Sequence, residues 1–399
     1  MGNGAPADRT DRLLAGHAGR MLVVLTVAFA VVKTARYALP PLLPAISADL
    51  SLTPFQAGLG LATINVFFAA QQFPSGRLSD QLSRKTVLFA SLAFMTLGCL
   101  TLAATPTYAV FLLGMVLVGI GGGLFPSASR AWVTDLFTAR RGEAFGFHLA
   151  SVDVAGIVAS GLAFVVFSTF VSWRFVFLPI VALLVILLPL VQFWSTERVV
   201  LARVDLNVRE TAVRVLATRR VRRVALVVSL YMFTVQGLTG FLPTYLQVEG
   251  GFDPSTASLA FAALFVTGAI SKPLTGRFSD GNNRLIVGAA GLAVGAAGVG
   301  LFLAVPSGVP AVVGVVLFAA GHKGFLPTVE AYLMDGFEAD SMGGDLGILR
   351  TVYWSAGSLG PAYVGYVSAV LGYREAFLGF VGTLVAGAVV ASWLAVHDD

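Results

Sequence analysis

Gly76-Arg77-Leu78-Ser79-Asp80-Gln81-Leu82-Ser83-Arg84-Lys85 is a polar island between two apolar runs, and its first five residues return 200 positions later as Gly276-Arg277-Phe278-Ser279-Asp280. Other landmarks repeat at the same spacing. Pro54 matches Pro254, Gly114 matches Gly314, Asp135-Leu136-Phe137 matches Asp335-Gly336-Phe337, Trp173-Arg174 matches Tyr373-Arg374, and Phe177 matches Phe377. The chain of 399 residues is therefore two copies of one unit.

What kind of unit follows from the residues between the landmarks. Only 12% of residues are charged and 57% are apolar, whereas a soluble domain carries about 25% charged residues. Apolar runs long enough to cross a bilayer lie at 21–45, 55–75, 86–104, 108–134, 143–171, 175–194, 224–247, 255–275, 284–304, 310–335, 343–371 and 375–396. Backbone groups in lipid must bond within their own segment, so these runs are helices; the alternation of a membrane barrel is missing. The predicted fold is all-α: twelve transmembrane helices in two pseudo-symmetric six-helix bundles, residues 1–194 and 224–399. Six is even, so both copies enter from the same side, a parallel repeat.

Residues 195–223 join the halves and hold eight arginines. They read as a cytoplasmic linker, part of it a helix at the headgroups. With the N-terminus inside, eighteen Lys/Arg face the cytoplasm and two, Arg174 and Arg374, face out. By the positive-inside rule this places both termini in the cytoplasm of a cell membrane. Cys99 is a lone cysteine, so no disulfide framework exists. The four histidines lack zinc-type spacing, and nothing suggests a metal, another cofactor or nucleic acid.

These motifs resemble the major facilitator superfamily over nearly the whole chain. The island at 76–85 is similar to its G-x-L-x-D-r-x-G-R-K signature, with Ser83 in place of the second glycine. The copy at 276–280, Gly119-Ile120-Gly121-Gly122-Gly123 and Trp173-Arg174-Phe175-Val176-Phe177 fit as well. The resemblance implies a gating network. Gly76 would permit a tight turn, Asp80 would meet the N-terminus of the eleventh helix, and Arg84 would pair with Asp135; Gly276 and Asp280 of the copy belong to the same gating set. An ordinary surface pair at that position is worth at most about 1 kcal/mol. Two features depart from the family's drug exporters: Met115 stands where an arginine is common, and the fifth run has Gly156, Ser160 and Gly161 without a Gly-Pro pair.

Charges inside the spans carry the functional reading, because a bilayer rejects them unless they face a cavity. Lys33, Arg36, Arg130, Lys323 and Arg350 oppose only Asp153 and Glu330. Lys272 is expected to snorkel to the headgroups. Lys33 and Arg36, three apart, share a helical face. The excess of cations asks for an anion, and guanidinium suits carboxylate or phosphate. The expected substrate-binding set is Arg36, Lys33, Arg130, Lys323 and Arg350 with Tyr37, Asn65 and Gln236. Asp153, Glu330 and His322 are the expected proton-coupling groups, and Arg130 is placed to pair with Glu330 across the repeat. An arginine mid-way along the first helix before a proline-rich end resembles the organic-anion and anion:cation symport branches. The reading is a monomeric, proton-coupled carrier of a small organic anion. The alternatives are a proton-driven exporter of drugs or metabolites, or a non-transporting sensor on the same scaffold.

Overall fold

The computed structural model describes residues 13–397 except 170, 196, 201, 203–205, 207 and 335–341, and, inside helices, leaves out the side chains of 80, 342 and 343. The described residues form helices and no strand. In chain order these are α1 (Gly16–Tyr37), α2 (Leu39–Asp49), α3 (Pro54–Ala70), α4 (Gln72–Gln81), α5 (Arg84–Ala103), α6 (Tyr108–Leu136), α7 (Arg141–Thr169), α8 (Phe177–Trp194), α9 (Val208–Ala217), α10 (Arg219–Val248), α11 (Pro254–Asp280), α12 (Arg284–Ala304), α13 (Gly308–Met334), α14 (Met342–Val370) and α15 (Tyr373–His397).

Twelve spans result. Ten rest on helices that are long and apolar enough to cross a membrane singly. One more is α3 with α4, broken at Gln71, and the twelfth is α14, diluted by Gly, Ser and Tyr. The first span is broken too: Pro40 and Pro41 cannot continue the α1 hydrogen-bond ladder, so the chain restarts as α2 after Ala38. Starts follow ordinary capping chemistry. Thr53 and Gln56 form a capping box ahead of Pro54, and Asp253 caps Thr256 ahead of Pro254.

The repeat holds down to individual contacts. Gly98 lets α5 approach α6 at Val118, and Gly298 lets α12 approach α13 at Phe318. Gly114 faces Leu102 as Gly314 faces Phe302. Each pair is the other displaced by 200 residues, and small residues at such crossings are how helices pack closely in lipid.

The two bundles meet along α3 with α14, α7 with α11, and α2 with α10. On the side away from the termini they touch directly. A Cβ on Gly58 would lie 2.5 Å from the Pro361 carbonyl oxygen, Phe55 meets Tyr366 edge-on, and Ser168 reaches Ser255 at 3.4 Å. Arg174 pairs with Asp49 at 2.8 Å on the same side.

Two expectations change here. Gly76 and Gly276 do not form turns; they lie inside α4 and α11 with ordinary helical backbone and open space around them. The turn falls one step later, where Ser83 caps α5. The linker helix α9 does not merely lie at the headgroups: Thr211 and Val215 are buried and Arg214 pairs with Asp345 of α14 at 2.5 Å.

Candidate functional site

Charged side chains inside the spans fall into three groups. The first is built on α1, where a three-residue spacing puts Lys33 and Arg36 on one face. Arg36 donates from Nη2 to Asn65 Oδ1 of α3 at 2.5 Å. Its guanidinium lies 4.1 Å from the Phe68 ring centre and 5.1 Å from that of Trp354 on α14. The two rings are 4.7 Å apart. Arg36 is thus held by one amide and two aromatic faces, one from each bundle, while its buried Nη1 has no hydrogen-bond partner. Lys33 Nζ sits 4.9 Å from Phe68 and 5.3 Å from Phe29.

The second group lies where α7 meets α11 and α13. Asp153 Oδ2 pairs with Lys272 Nζ at 2.6 Å, and Lys323 Nζ stands 3.9 Å from Oδ1. Lys323 covers the Phe265 ring at 4.4 Å, and Tyr37 stacks on the same ring at 4.8 Å. Lys272 therefore does not snorkel to the headgroups. A carboxylate across the interface, 5% exposed, holds it instead.

The third group joins α13 to α14. Arg350 grips Glu330 bidentately, Nε to Oε1 at 3.0 Å and Nη2 to Oε2 at 2.8 Å, and the Tyr353 hydroxyl donates to Oε1. This corrects the pairing expected across the repeat. Glu330 is bound to Arg350 within its own bundle, and Arg130 is left with a buried Nε that has no partner. The long side chains of Glu330 on α13 and Arg350 on α14 reach each other directly, and the symmetry mate is left without an ion pair. Arg350 is accordingly occupied, unlike the free cation expected of it.

Among the described residues, Lys33, Arg36 and Arg130 have no carboxylate within ion-pair range. Uncompensated buried cations cost several kcal/mol each. A guanidinium with an unpaired edge beside two aromatic faces has the chemistry to accept an anion.

The remaining predicted residues spread around these groups. The Tyr231 hydroxyl donates to the His322 carbonyl at 2.8 Å and lies 3.2 Å from its Nδ1; the His322 ring stacks on Phe318, and its Nε2 is unpaired. Gln236 packs where Gly357 leaves room, and its Nε2 is unpaired. Arg84 pairs with Asp135 at 3.2 Å and bonds Ser79 at 2.7 Å. Asp280 ends α11 exposed, with no ion pair among the described residues. The Asp80 side chain lies outside the described residues. Two participants escaped sequence reasoning: Phe68, and His148, which is bonded to Thr26 and Ser129 and stacked on Phe29. Phe68 was findable, because it follows Asn65 by three residues and so shares its helical face.

The profile of the Major Facilitator Superfamily matches residues 25–361 and 224–399. The chain belongs to that superfamily. It is a multi-pass membrane transporter and not an enzyme. Superfamily relatives include the "Probable sulfoacetate transporter SauU" of Cupriavidus necator, 28% identical with 88% of this chain and 87% of that one covered. The "Transcription regulatory protein OpdE" of Pseudomonas aeruginosa is 26% identical over 92% and 91%. A "Gentisate transporter" of Corynebacterium glutamicum is 28% identical over 69% and 62%. Among solved superfamily structures, a bacterial homolog of the human lysosomal transporter Spinster, inward-facing and occupied, superposes with a TM-score of 0.78 at 18% identity, covering 94% and 96% of the two chains. It has the same fold.

Proposed function

We propose that this protein is a proton-coupled secondary transporter of a small organic anion. It works as a monomer in the cell membrane, with both termini in the cytoplasm. Residues 1–194 and 224–399 are the two rocking units and 195–223 the strap between them. The observation that carries the reading is Arg36, lying against the contacting rings of Phe68 and Trp354 with no counter-ion among the described residues. Both acids inside the spans are already engaged by other cations, so the charge of Lys33, Arg36 and Arg130 needs an anion from outside. Asn65, Tyr37 and Gln236 supply neutral contacts around it. Asp153, Glu330 and His322 supply the proton-linked groups, and Arg84 with Asp135 latches one end state alongside Gly76, Asp80, Gly276 and Asp280. The names of the C. necator and C. glutamicum relatives point to sulfonate- and carboxylate-bearing anions.

The name of the P. aeruginosa relative favours a second reading, a sensor that binds without transporting. Thermal unfolding of the purified protein tests the anion site itself. Sulfoacetate or gentisate at about 100 times its Kd stabilises by about 2.7 kcal/mol, and tetraphenylphosphonium does not. Stabilisation by the cation alone would favour a drug exporter. Stabilisation by the anions without uptake into vesicles would favour the sensor.

A further inference from the structure

Two lysines of one bundle address one carboxylate of the other, and they do so unequally. Lys272 closes on Asp153 Oδ2 at 2.6 Å and keeps 32% of its side chain exposed. Lys323 stops 3.9 Å from Oδ1 and is 13% exposed. Oδ1 itself is buried without a hydrogen-bond partner. The gap is built in. Gly268 of α11 lies between them, and a Cβ there would touch Asp153 Oδ1 and Lys323 Cδ at 3.0 Å each. An ammonium carries three donors and needs acceptors. Lys323 has none within hydrogen-bond distance among the described residues, only the Phe265 face, whose attraction for a cation is about 0.5–2 kcal/mol. An amine suits that position and an ammonium does not, unless an anion or a shift of Asp153 supplies the missing acceptor.

We propose that the proton-binding group at this interface is the Lys323 amine, with Lys272 holding Asp153 as a permanent carboxylate. The inference rests on the anion-transport reading and moves the proton from an acid to a base. One proton adds to the Lys323 lone pair as the anion enters, giving an ammonium that neutralises one negative charge of the anion; both depart on the other side, and no other bond is made or broken. The groups facing Lys323 fit the assignment. They are Asp153 from α7, Lys272 from α11, Tyr37 from α1 tilted against the Phe265 ring with Lys33 one turn away, and His322 on α13 itself, bonded to Tyr231 of α10. α12, which packs along α13, has Arg284 as its only charge, at its first residue.

The chain has four lysines, Lys33, Lys85, Lys272 and Lys323, so protein labelled with 13C at lysine Cε gives a spectrum of four signals. The Lys323 signal, assigned by its loss in Lys323→Arg or Lys323→Gln, is expected to move between amine and ammonium positions on titration below the ordinary lysine value of about 10.4. A Lys323 signal fixed at the ammonium position throughout overturns the proposal, whatever the substrate proves to be. In vesicles, one pH unit drives about tenfold accumulation through one coupled proton. For sulfoacetate this ratio is expected to fall to about one in Lys323→Arg, whose guanidinium does not deprotonate. A proton-driven ratio near ten in Lys323→Arg, lost instead in Asp153→Asn, overturns it too. Absence of sulfoacetate uptake by the wild type would count against the transport reading, and the spectrum would still decide the assignment of the proton.

Discussion

Replacing Arg36 by methionine separates stability from function with opposite signs. In the ligand-free protein the guanidinium has one hydrogen bond, to Asn65 at 2.5 Å, and two aromatic faces, at 4.1 and 5.1 Å. Its other nitrogen edge is buried and unpaired. The hydrogen bond is worth about 1.5–3 kcal/mol and the ring contacts about 0.5–2 kcal/mol each. Against these stands a desolvation cost of several kcal/mol with no counter-ion. Replacing a buried charge by an apolar side chain of similar length typically gains about 1–4 kcal/mol. Arg36→Met is therefore expected to unfold a few degrees above wild type. The same change removes the anion's main partner, a loss of about 2–5 kcal/mol, or about 30- to 4000-fold in Kd. At a sulfoacetate concentration 100 times the wild-type Kd, ligand stabilisation then falls from about 2.7 to under about 1 kcal/mol. The assay is thermal unfolding of both proteins with and without sulfoacetate. A variant that is less stable than wild type and keeps the full ligand shift would refute the assignment of Arg36 as an anion receptor awaiting its partner.

Glu330→Gln leaves Arg350 buried without its bidentate partner, so thermal unfolding is expected to show a loss of about 3–5 kcal/mol. Most of that loss returns in the double variant Glu330→Gln/Arg350→Met, and no recovery would mean the pair is not the cause. Gly58→Val puts a branched side chain where even a Cβ collides with the Pro361 carbonyl. The two bundles then cannot seal on the side away from the termini, and uptake is expected to fall at least about tenfold in protein that still elutes as a single species; wild-type uptake would show that this contact is not part of the cycle. Asp49, beyond the end of the first apolar run, is held below the usual carboxylate range, chiefly by the Arg174 hydrogen bond and also by Trp173. A depressed carboxylate contributes stability that is present above its unfolded value of about 3.9 and lost as pH falls through the folded value. Asp49→Asn should therefore lower Tm at pH 7 and lower it less as pH falls below about 3.9; an equal effect at pH 7 and in acid would place its cause elsewhere.

The sequence displayed the spans, because apolar length is a local property, and the repeat, because the landmarks keep one spacing. The Gly98–Val118 and Gly298–Phe318 contacts are that spacing seen in three dimensions. Lys33, Arg36 and Asn65 were legible for a similar reason: each stands out as polar against its own helix. Pairings were not legible. Lys272 looked like a headgroup lysine because its depth along α11 can be counted from the sequence. Its partner, 119 residues earlier on a helix of the other bundle, cannot. Glu330 was assigned to Arg130 by symmetry, whereas in the fold its carboxylate meets Arg350 of the next helix. The contact of Phe68 and Trp354 with Arg36 was not legible, because an aromatic residue in an apolar span is unremarkable until a guanidinium lies against it.

The most direct test of the central claim is uptake of labelled sulfoacetate and gentisate by proteoliposomes containing the purified protein, under an imposed pH gradient of one unit. Anion transport predicts that at least one of the two accumulates when the outside is acidic, that unlabelled anion competes, and that Arg36→Met abolishes the accumulation. Uptake no faster than in empty vesicles for both anions, or equal uptake by Arg36→Met, would contradict it.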